Sequence, residues 1–382
     1  MTHGISIHAY TSLLSGADYL GNVTKDASNY THTIAALGGY DSMSFTYTGT
    51  LPEVEDWFVK GLGRHIVVYD DGLQVCWEGF VNRMTLSAGS LSITRGPLLD
   101  ISNRVALVYS TVNATVTPPI VGERATTAYA SDTDSQEQWG ILETILSGGG
   151  MTATTAAQVR DTYLAENKDP VSSQTVNLDQ GAAASIKIEC AGYYRWFDAY
   201  YFSDTATTGT VNLTVKMASI IADNPNIAWL AFGTDNITAN TLQVAGYEDN
   251  DVGAWGLLKG LVAHGDASDN RYTFGVYAGQ EIYYAAAPTD IAYTQRIADP
   301  NQRVFSAGGV EVPGYNVLPA RWLFLSDFLS GQILSSDYRT DPRYVFIEKV
   351  TFSEPNKLTI TGGRVEELPQ KLAKFGLSGI GG

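Results

Sequence analysis

Charged side chains are scarce in this chain. Only 17% of its 382 residues are Asp, Glu, Lys or Arg, against about 25% in typical soluble domains. The sequence has 22 tyrosines and 7 tryptophans. Because interface centres are poor in charge and rich in aromatic rings, this composition favours a surface that becomes an interface. An ordinary β protein is the alternative, since strands also favour Tyr and Trp.

Positive charge is especially scarce. The chain has 24 Lys and Arg against 40 Asp and Glu, for a formal net charge of −16. Nucleic acids and anionic lipids are bound by clustered Lys and Arg, so the balance argues against either as the primary partner.

Cysteine and long apolar runs are also lacking. The two cysteines, Cys76 and Cys190, lie in apolar, strand-like stretches and are expected to be buried, with no disulfide framework or zinc spacing around them. No run reaches the ~18 apolar residues of a membrane span. The first residues show no basic stretch followed by an apolar run, so no signal peptide is expected.

Catalytic signatures are missing. The chain has five histidines but no Gly-x-Ser-x-Gly elbow, no phosphate-binding loop and no His-Glu-x-x-His pair. The acidic run at residues 248–251 lacks the spacing of a calcium loop. We therefore predict no catalytic residue, no cofactor and no metal ligand.

A strand pattern near the N-terminus returns near the C-terminus. Residues 64–70 correspond to 321–327, and the strands after them correspond in order, with length differences only where turns are expected. The paired positions are Arg64 and Arg321, Asp70 and Asp327, Phe80 and Phe346, and Ile93 and Ile360. Chance similarity is the alternative, because strands draw on few residue types.

Local patterns predict a mainly β fold with an α+β middle region. Residues 5–109 are predicted to form short strands, and the period-two alternation at residues 91–95 is typical of antiparallel sheet. From residue 270 onward the chain is predicted to be β again. Residues 111–133 are predicted to be a connection. Helices are predicted at residues 52–60, 135–146, 155–167, 214–223 and 251–263.

An aromatic cluster lies in the middle region. Its candidate contact residues are Tyr193, Tyr194, Trp196, Tyr200 and Tyr201. Rings that stack on sugars would make this a glycan platform. Core packing and a subunit interface are the alternatives, because all three environments are rich in Tyr and Trp.

The sequence resembles the tail-tip or baseplate hub proteins of long-tailed bacteriophages. The resemblance is carried by Trp77-Glu78-Gly79-Phe80-Val81-Asn82 and the run from Gly89 to Asp100. It is also carried by Pro319-Ala320-Arg321-Trp322 and by Asp341-Pro342-Arg343-Tyr344 with Phe346-Ile347-Glu348. It covers roughly residues 30–110 and 250–375.

The resemblance implies two tail-tube-like β-barrel or sandwich modules in one subunit. Three subunits would then form a pseudo-sixfold ring around a DNA-exit channel. Its implied partners are further copies of the chain, the tail tube or distal tail protein, and a tip fibre or receptor-binding protein. DNA would pass without specific binding, and the location would be the virion tail tip.

The corresponding domain prediction has four parts. Residues 1–110 form the first module, 111–265 the middle or hub region, 266–366 the second module and 367–382 a C-terminal tail. The alternative functions are a distal tail adaptor, a carbohydrate-binding adhesin component of the baseplate that uses the aromatic cluster, and, third, a tail-associated cell-wall hydrolase.

Overall fold

The computed structural model describes most of the chain. The described residues are 4–89, 91–113, 120–176, 182–202, 209–246, 252–268, 270–296, 305–326, 341, 343–355 and 357–363. Asp327, one of the predicted repeat positions, and the predicted tail at 367–382 lie outside them.

Strands dominate the described residues. In chain order they are β1 Ile5–Ser12, β2 Tyr19–Asn22, β3 Ala27–Ala35, β4 Leu37–Thr48, β5 Arg64–Asp70, β6 Val75–Gly89, β7 Leu91–Arg95, β8 Arg104–Asn113, β9 Ile120–Thr126, β10 Ala130–Ser131, β11 Glu143–Met151, β12 Ser172–Val176, β13 Ala182–Ala191, β14 Thr210–Asn212, β15 Gly233–Ile237, β16 Gln243–Ala245, β17 Tyr272–Val276, β18 Glu281–Ala286, β19 Ile291–Arg296, β20 Phe305–Ala307, β21 Val310–Val312, β22 Trp322–Ser326, β23 Tyr344–Ser353 and β24 Lys357–Gly363. The α-helices are α1 Leu51–Lys60, α2 Thr133–Trp139, α3 Ala153–Asn167, α4 Leu213–Ala222 and α5 Ala254–His264. The predicted mainly β fold is confirmed.

One antiparallel path of nine strands forms the centre of the molecule. Its spatial order is β2, β1, β5, β6, β13, β4, β3, β23 and β24. The path joins segments far apart in sequence, since β13 lies between β4 and β6, and β3 pairs with β23. The segments predicted as first module, middle region and second module therefore contribute strands to one continuous sheet.

Shorter strands branch from this path. β12 pairs with β7. β17 pairs in parallel with the start of β4, β18 pairs with β17, and β15 pairs with β18. β22 pairs with β23 on one side and with β19 on the other. β20 pairs with β19, and β21 pairs with β20.

A second, small sheet is built on β8. β11 runs parallel to β8 on one side, and β9 and β10 run antiparallel on the other. Helix α3 covers one face through Ala156, which packs with Leu107 and Tyr109. The segment predicted as a connection, residues 111–133, therefore contains strands β9 and β10 as well as the end of β8, and that prediction is wrong.

Four of the predicted helices are found within three residues of their predicted ends, but the fifth is only partly helical. Residues 135–146 were expected to form one helix, whereas α2 ends at Trp139 and β11 begins at Glu143. Gly140 has a φ of 81° and stops the helix. The backbone N–H of Leu142 then donates to Asn103 Oδ1 at 2.8 Å, and the following residues pair with β8. Tertiary pairing thus overrides a helical pattern.

The two predicted repeat segments share the register of one hairpin. His65 pairs with Phe80 in β5–β6, and the corresponding Trp322 pairs with Phe346 in β22–β23. The next pairs also correspond, because Ile66 faces Gly79 as Leu323 faces Val345.

The correspondence does not extend to the third strand. Met84 of β6 pairs with both β7 and β13, while Phe80 pairs with both β5 and β13, so β5 and β7 lie on the same edge of β6. In contrast, Phe346 of β23 pairs with both β22 and β24, which therefore lie on opposite edges. The sequence similarity therefore reflects two hairpins with the same register, β5–β6 and β22–β23. The strands that follow them, β7 and β24, are placed differently.

The main core lies under the nine-strand path and the helices. Trp77, Phe45, Phe197, Phe274 and Tyr284 are among its fully buried side chains. A smaller core around Ile347, Val350 and Leu323 lies beneath β22–β24. Among the described residues, no helix has the length and apolarity needed to cross a bilayer.

Candidate functional site

Three residues of the aromatic cluster, Tyr193, Tyr194 and Trp196, lie on a 3-10 helix, Tyr193–Asp198, that follows β13, and Tyr200 and Tyr201 come directly after it. Gly192 begins this turn, and its N–H donates to the carbonyl of Asp41 at 2.9 Å. A Cβ at Gly192 would overlap the backbone carbonyl of Tyr40. Glycine therefore lets the turn lie directly against β4.

The structure brings the predicted aromatic contact residues together, but inside the chain. Tyr193, Tyr194, Trp196 and Tyr200 are each at most 4% exposed, and Tyr201 is half-buried. Trp196 meets Trp229 edge-on at 4.9 Å between ring centroids. Of the three environments left open by the sequence, core packing is the one in which these rings lie, and their faces do not form an exposed sugar platform.

Asp41 on β4 is the centre of a polar network beside this turn. Its Oδ1 accepts hydrogen bonds from the Tyr194 hydroxyl at 2.5 Å and the Arg195 guanidinium at 2.8 Å, and its Oδ2 accepts from Lys349 Nζ at 3.2 Å. Burial by itself would raise the pKa of Asp41, but the Tyr194 hydrogen bond and the two cations outweigh it and lower that pKa. Asp41 therefore stays ionised and ties β4 to the 3-10 helix and to β23. Sequence patterns gave no sign of this residue.

A second buried polar group lies on β6. Glu78 accepts a hydrogen bond from the backbone N–H of Gly279 at 2.7 Å, and the His65 ring lies 3.7 Å away. His65 Nδ1 is 2.5 Å from the Tyr193 hydroxyl. Burial raises the pKa of Glu78 to about 7 and lowers the pKa of His65 to about 4. At neutral pH the imidazole is uncharged, so the 3.7 Å approach is not an ion pair.

The predicted repeat positions have different surroundings in the two hairpins. Arg64 is buried, pairs with Asp56 at 2.8 Å and lies over the Trp57 ring, whereas Arg321 is half-buried and donates to the carbonyl of Ala320. Asp70 accepts from the Gln74 N–H at 2.8 Å and from Asn316. What the two hairpins share is therefore backbone register rather than side-chain chemistry.

The hydrophobic repeat positions lie in or beside the cores. Phe80 and Phe346 are fully buried, and the Arg271 guanidinium lies 4.2 Å from the centroid of the Phe346 ring. Ile93 and Ile360 are half-buried on β7 and β24.

The two end strands of the nine-strand path are β2 and β24. Within the described residues, β2 pairs only with β1 and β24 pairs only with β23. Tyr19 and Leu20 on β2 are 56% and 49% exposed. An edge strand with unpaired backbone groups is a template for pairing with another chain.

The described residues contain no group of three His, Cys, Asp or Glu arranged to hold a metal ion. Cys76 and Cys190 are both buried free thiols. The buried histidines serve packing and hydrogen bonding: His32 lies 2.6 Å from the Tyr30 hydroxyl, and burial lowers the pKa of His32 to about 3.

Comparison with known proteins finds a distant structural likeness. No protein-family model matches the chain, and no curated protein matches it. The chain is similar to the crystal structure of a 43 kDa tail protein of prophage MuSo2 from Shewanella oneidensis, with 8% identity and a TM-score of 0.43. The likeness covers 95% of this chain and 97% of that chain.

Proposed function

We propose that the chain is a structural protein of a bacteriophage tail tip. In this proposal it is a hub subunit that joins the distal end of the tail tube to the host-contacting apparatus and lines the channel through which DNA leaves. Three copies form a ring that contacts the tail tube or distal tail protein on one side and a tip fibre or receptor-binding protein on the other. It is not an enzyme in this proposal.

The observation that carries the proposal is the shared hairpin register. Two hairpins of equal register, β5–β6 and β22–β23, occur in one continuous sheet. A subunit with two similar hairpins can present two similar surfaces, so that three copies match a sixfold tube. The sequence resemblance to tail-tip proteins covers both hairpins.

The two end strands, which have no second partner strand within the described part of the chain, support ring formation. Joining β2 of one copy to β24 of the next would satisfy both edges and close the sheet into an annulus. The composition agrees, because the low charge and many aromatics suit a subunit whose surface is covered in the assembly.

The net charge suits a channel through which DNA passes without being held. A lumen lined by part of the −16 charge repels phosphates. DNA would then cross without sequence-specific contact.

The copy number of the assembly tests the proposal. We expect the purified protein, or its complex with the neighbouring tail proteins, to give the mass of three copies by light scattering, and a ring with a central hole in electron micrographs. A stable monomer under assembly conditions would contradict the proposal. Six copies would contradict the hub position and favour a distal tail adaptor.

A further inference from the structure

One face of the central sheet is lined with hydroxyl groups. Residues directly opposite each other in an antiparallel pair point to the same face, so the strand register gives rows of side chains that cross the sheet. One row runs from β12 to β3 as Ser173, Thr94, Thr85, Lys187, Thr46 and Ser28. The next row, two residues further along β13, runs from β6 to β24 as Arg83, Glu189, Ser44, Thr31, Ser353 and Lys357. We call these two rows the hydroxyl face.

The hydroxyl face is accessible in the subunit. Every member of its two rows is half-buried or exposed. The residues that alternate with them along the strands, such as Phe45, Ile186 and Ile188, are at most 1% exposed and belong to the core. Helix α1 packs on that core side, where Trp57 meets Phe45 and Tyr47. The hydroxyl face therefore lies on the side of the sheet that points away from α1 and the core.

Neighbouring hydroxyl groups on this face hold one another in place. Thr85 Oγ1 lies 3.0 Å from Thr94 Oγ1, and Thr31 Oγ1 lies 2.8 Å from Ser353 Oγ. A hydroxyl has one proton and two lone pairs, so such a pair keeps capacity for further hydrogen bonds to water or to a partner. The two rows contain no aromatic or long aliphatic side chain, which protein interfaces use as buried anchors. The face therefore suits a hydrated, polar partner.

The charge of the hydroxyl face is opposite in sign to that of the whole chain. Its two rows carry three cations, Arg83, Lys187 and Lys357, against the one carboxylate of Glu189. The whole chain, in contrast, has 24 Lys and Arg against 40 Asp and Glu. Cations set among hydroxyl groups are the donors that contact the phosphates of nucleic acids. Charge complementarity therefore favours a phosphate backbone as the partner of this face.

We propose that the hydroxyl face is the wall of the channel and that passing duplex DNA contacts it through its phosphates. The inference rests on the proposed function, because it needs the ring. When the sheet closes into an annulus, the core and the helices beneath it need the larger circumference and lie outside, which leaves the hydroxyl face inside. Phosphates then meet Arg83, Lys187 and Lys357, and hydroxyl groups contact the backbone directly or through water.

The contact between DNA and this wall is weak. The net charge of −16 gives the subunit a negative field that opposes the approach of phosphates. The three cations of the hydroxyl face offset that field only close to the wall. DNA is therefore guided along the wall without being held by it, which suits passage.

The first test is the position of the hydroxyl face in the ring. In the full-length protein, Ser28→Cys places a thiol on this face, and Val215→Cys, at a site 54% exposed on α4, is the control. The native thiols of Cys76 and Cys190 are buried. After the assembled rings are labelled with maleimide-gold, electron micrographs should show the Ser28→Cys label in the central hole and the Val215→Cys label at the periphery. A Ser28→Cys label at the periphery of an intact ring overturns this inference but leaves the proposed function standing, whereas the absence of any ring overturns both.

Matched charge removals test the phosphate contact. Lys187→Gln removes one exposed cation from the hydroxyl face, and Lys60→Gln removes one from α1 on the other side of the sheet. Both lysines pair with a carboxylate at the surface, so the two changes are comparable. In titrations of a labelled DNA duplex, Lys187→Gln should bind several-fold more weakly, and its plot of log K against log salt should flatten by about 0.9, the value of one phosphate contact. An unchanged slope in Lys187→Gln, or an equal loss in Lys60→Gln, overturns the inference.

A measurement on the unchanged protein shows whether the contact lies inside the ring. A duplex that carries streptavidin at both ends cannot thread a closed ring, so it should bind several-fold more weakly than the same duplex with free ends. Duplexes of different sequence should bind equally well, because phosphate contacts carry no sequence information. Equal binding of the blocked and free duplexes to assembled rings would place the contact on the outside and overturn the inference.

Discussion

Asp41 joins three distant parts of the chain. Its carboxylate contacts Tyr194 and Arg195 of the middle region and Lys349 of β23. Because the residue is only 7% exposed, its hydrogen bonds replace water that the carboxylate lost on folding. The network therefore helps to fix how the N-terminal, middle and C-terminal segments pack.

Replacing Asp41 should destabilise the fold. Asp41→Asn keeps the size of the side chain but removes its charge and places an amide where two cations and a hydroxyl donate. We expect the free energy of unfolding to fall by about 2 kcal/mol, measured by chemical denaturation. Glu189→Gln is the control, because its partner Lys187 is exposed and Glu189 itself is half-buried at the surface, so the pair should contribute less than about 1 kcal/mol. Equal effects of the two changes would contradict a central role for Asp41.

Glu78 makes stability depend on pH in a defined direction. Its folded-state pKa, about 7, lies above the ordinary value of 4.5, so the folded protein holds a proton that the unfolded chain releases. Stability from Glu78 is therefore lost as the pH rises from about 4.5 to 7. His65 acts oppositely, because its pKa is lowered to about 4 and its contribution grows as the pH rises from about 4 to 6.5.

The Glu78→Gln variant should separate these two effects. Glutamine can still accept from the Gly279 N–H but never ionises, so the variant should be more stable than the unchanged protein at pH 8, by up to about 3 kcal/mol. The difference should vanish near pH 4.5. Thermal unfolding of the variant and the unchanged protein between about pH 4.5 and 8 measures this difference in stability. A variant that is less stable at pH 8 would show that the charged form of Glu78 is favoured in the fold.

At the residue scale, the sequence showed where the aromatic side chains cluster, but it did not show which side chains are buried or which residues they contact. The cluster at Tyr193, Tyr194 and Trp196 was visible as composition, and whether its rings faced solvent or the core was open. The turn at Gly192 decides this, because it places the rings against β4 and α5. Asp41 and Glu78 gave no signal, since an acidic residue in a strand normally faces solvent.

Among the elements, helices with strong end signals were predicted best. Helix α1 begins at a capping box of Thr50 and Glu53 and carries Pro52 in its first turn. Helix α5 ends at Gly265, whose φ is 67°. These signals act within one turn of helix and can be read locally. The helix prediction was wrong for the C-terminal half of residues 135–146, because the backbone from Glu143 onward pairs with β8. The local residue pattern carries no information about that distant strand.

The contact between the 3-10 helix Tyr193–Asp198 and β4 depends on one glycine. Gly192→Ala would force a methyl group into the carbonyl of Tyr40, so the turn would have to move away from β4. We expect a loss of about 2 kcal/mol or more, measured by denaturation, together with a change in near-ultraviolet circular dichroism from the aromatic cluster.

Gly149→Ala is the matched control for this change. Gly149 also lies in the middle region, on β11, but a Cβ there would meet nothing within 4 Å. This variant should be as stable as the unchanged protein or slightly more so, because alanine loses less backbone freedom on folding. A Gly192→Ala protein as stable as this control would show that the turn can shift without cost.

For the whole molecule, the exposed end of the sheet is the feature to test. In the proposed ring, β2 of one copy meets β24 of the next, so Leu20→Asp should place a charge in that contact and shift the mass towards the monomer. Val59→Asp is the control, because Val59 is 61% exposed on α1, away from the sheet ends. Analytical ultracentrifugation measures the mass of the assembly that each variant forms. Unchanged assembly in Leu20→Asp would exclude β2 from the contact.

The sequence by itself determined the strand-rich composition, the ends of four of the five α-helices to within three residues, and the matching hairpins, because each depends on local residue patterns. Only the tertiary structure decided that β13 enters between β4 and β6, that β3 joins β23, and that the third strands of the two hairpins lie on different edges. Strand pairing is set by backbone hydrogen bonds between segments up to hundreds of residues apart. Period-two alternation fixes which face of a strand is buried, but it does not specify the neighbouring strand.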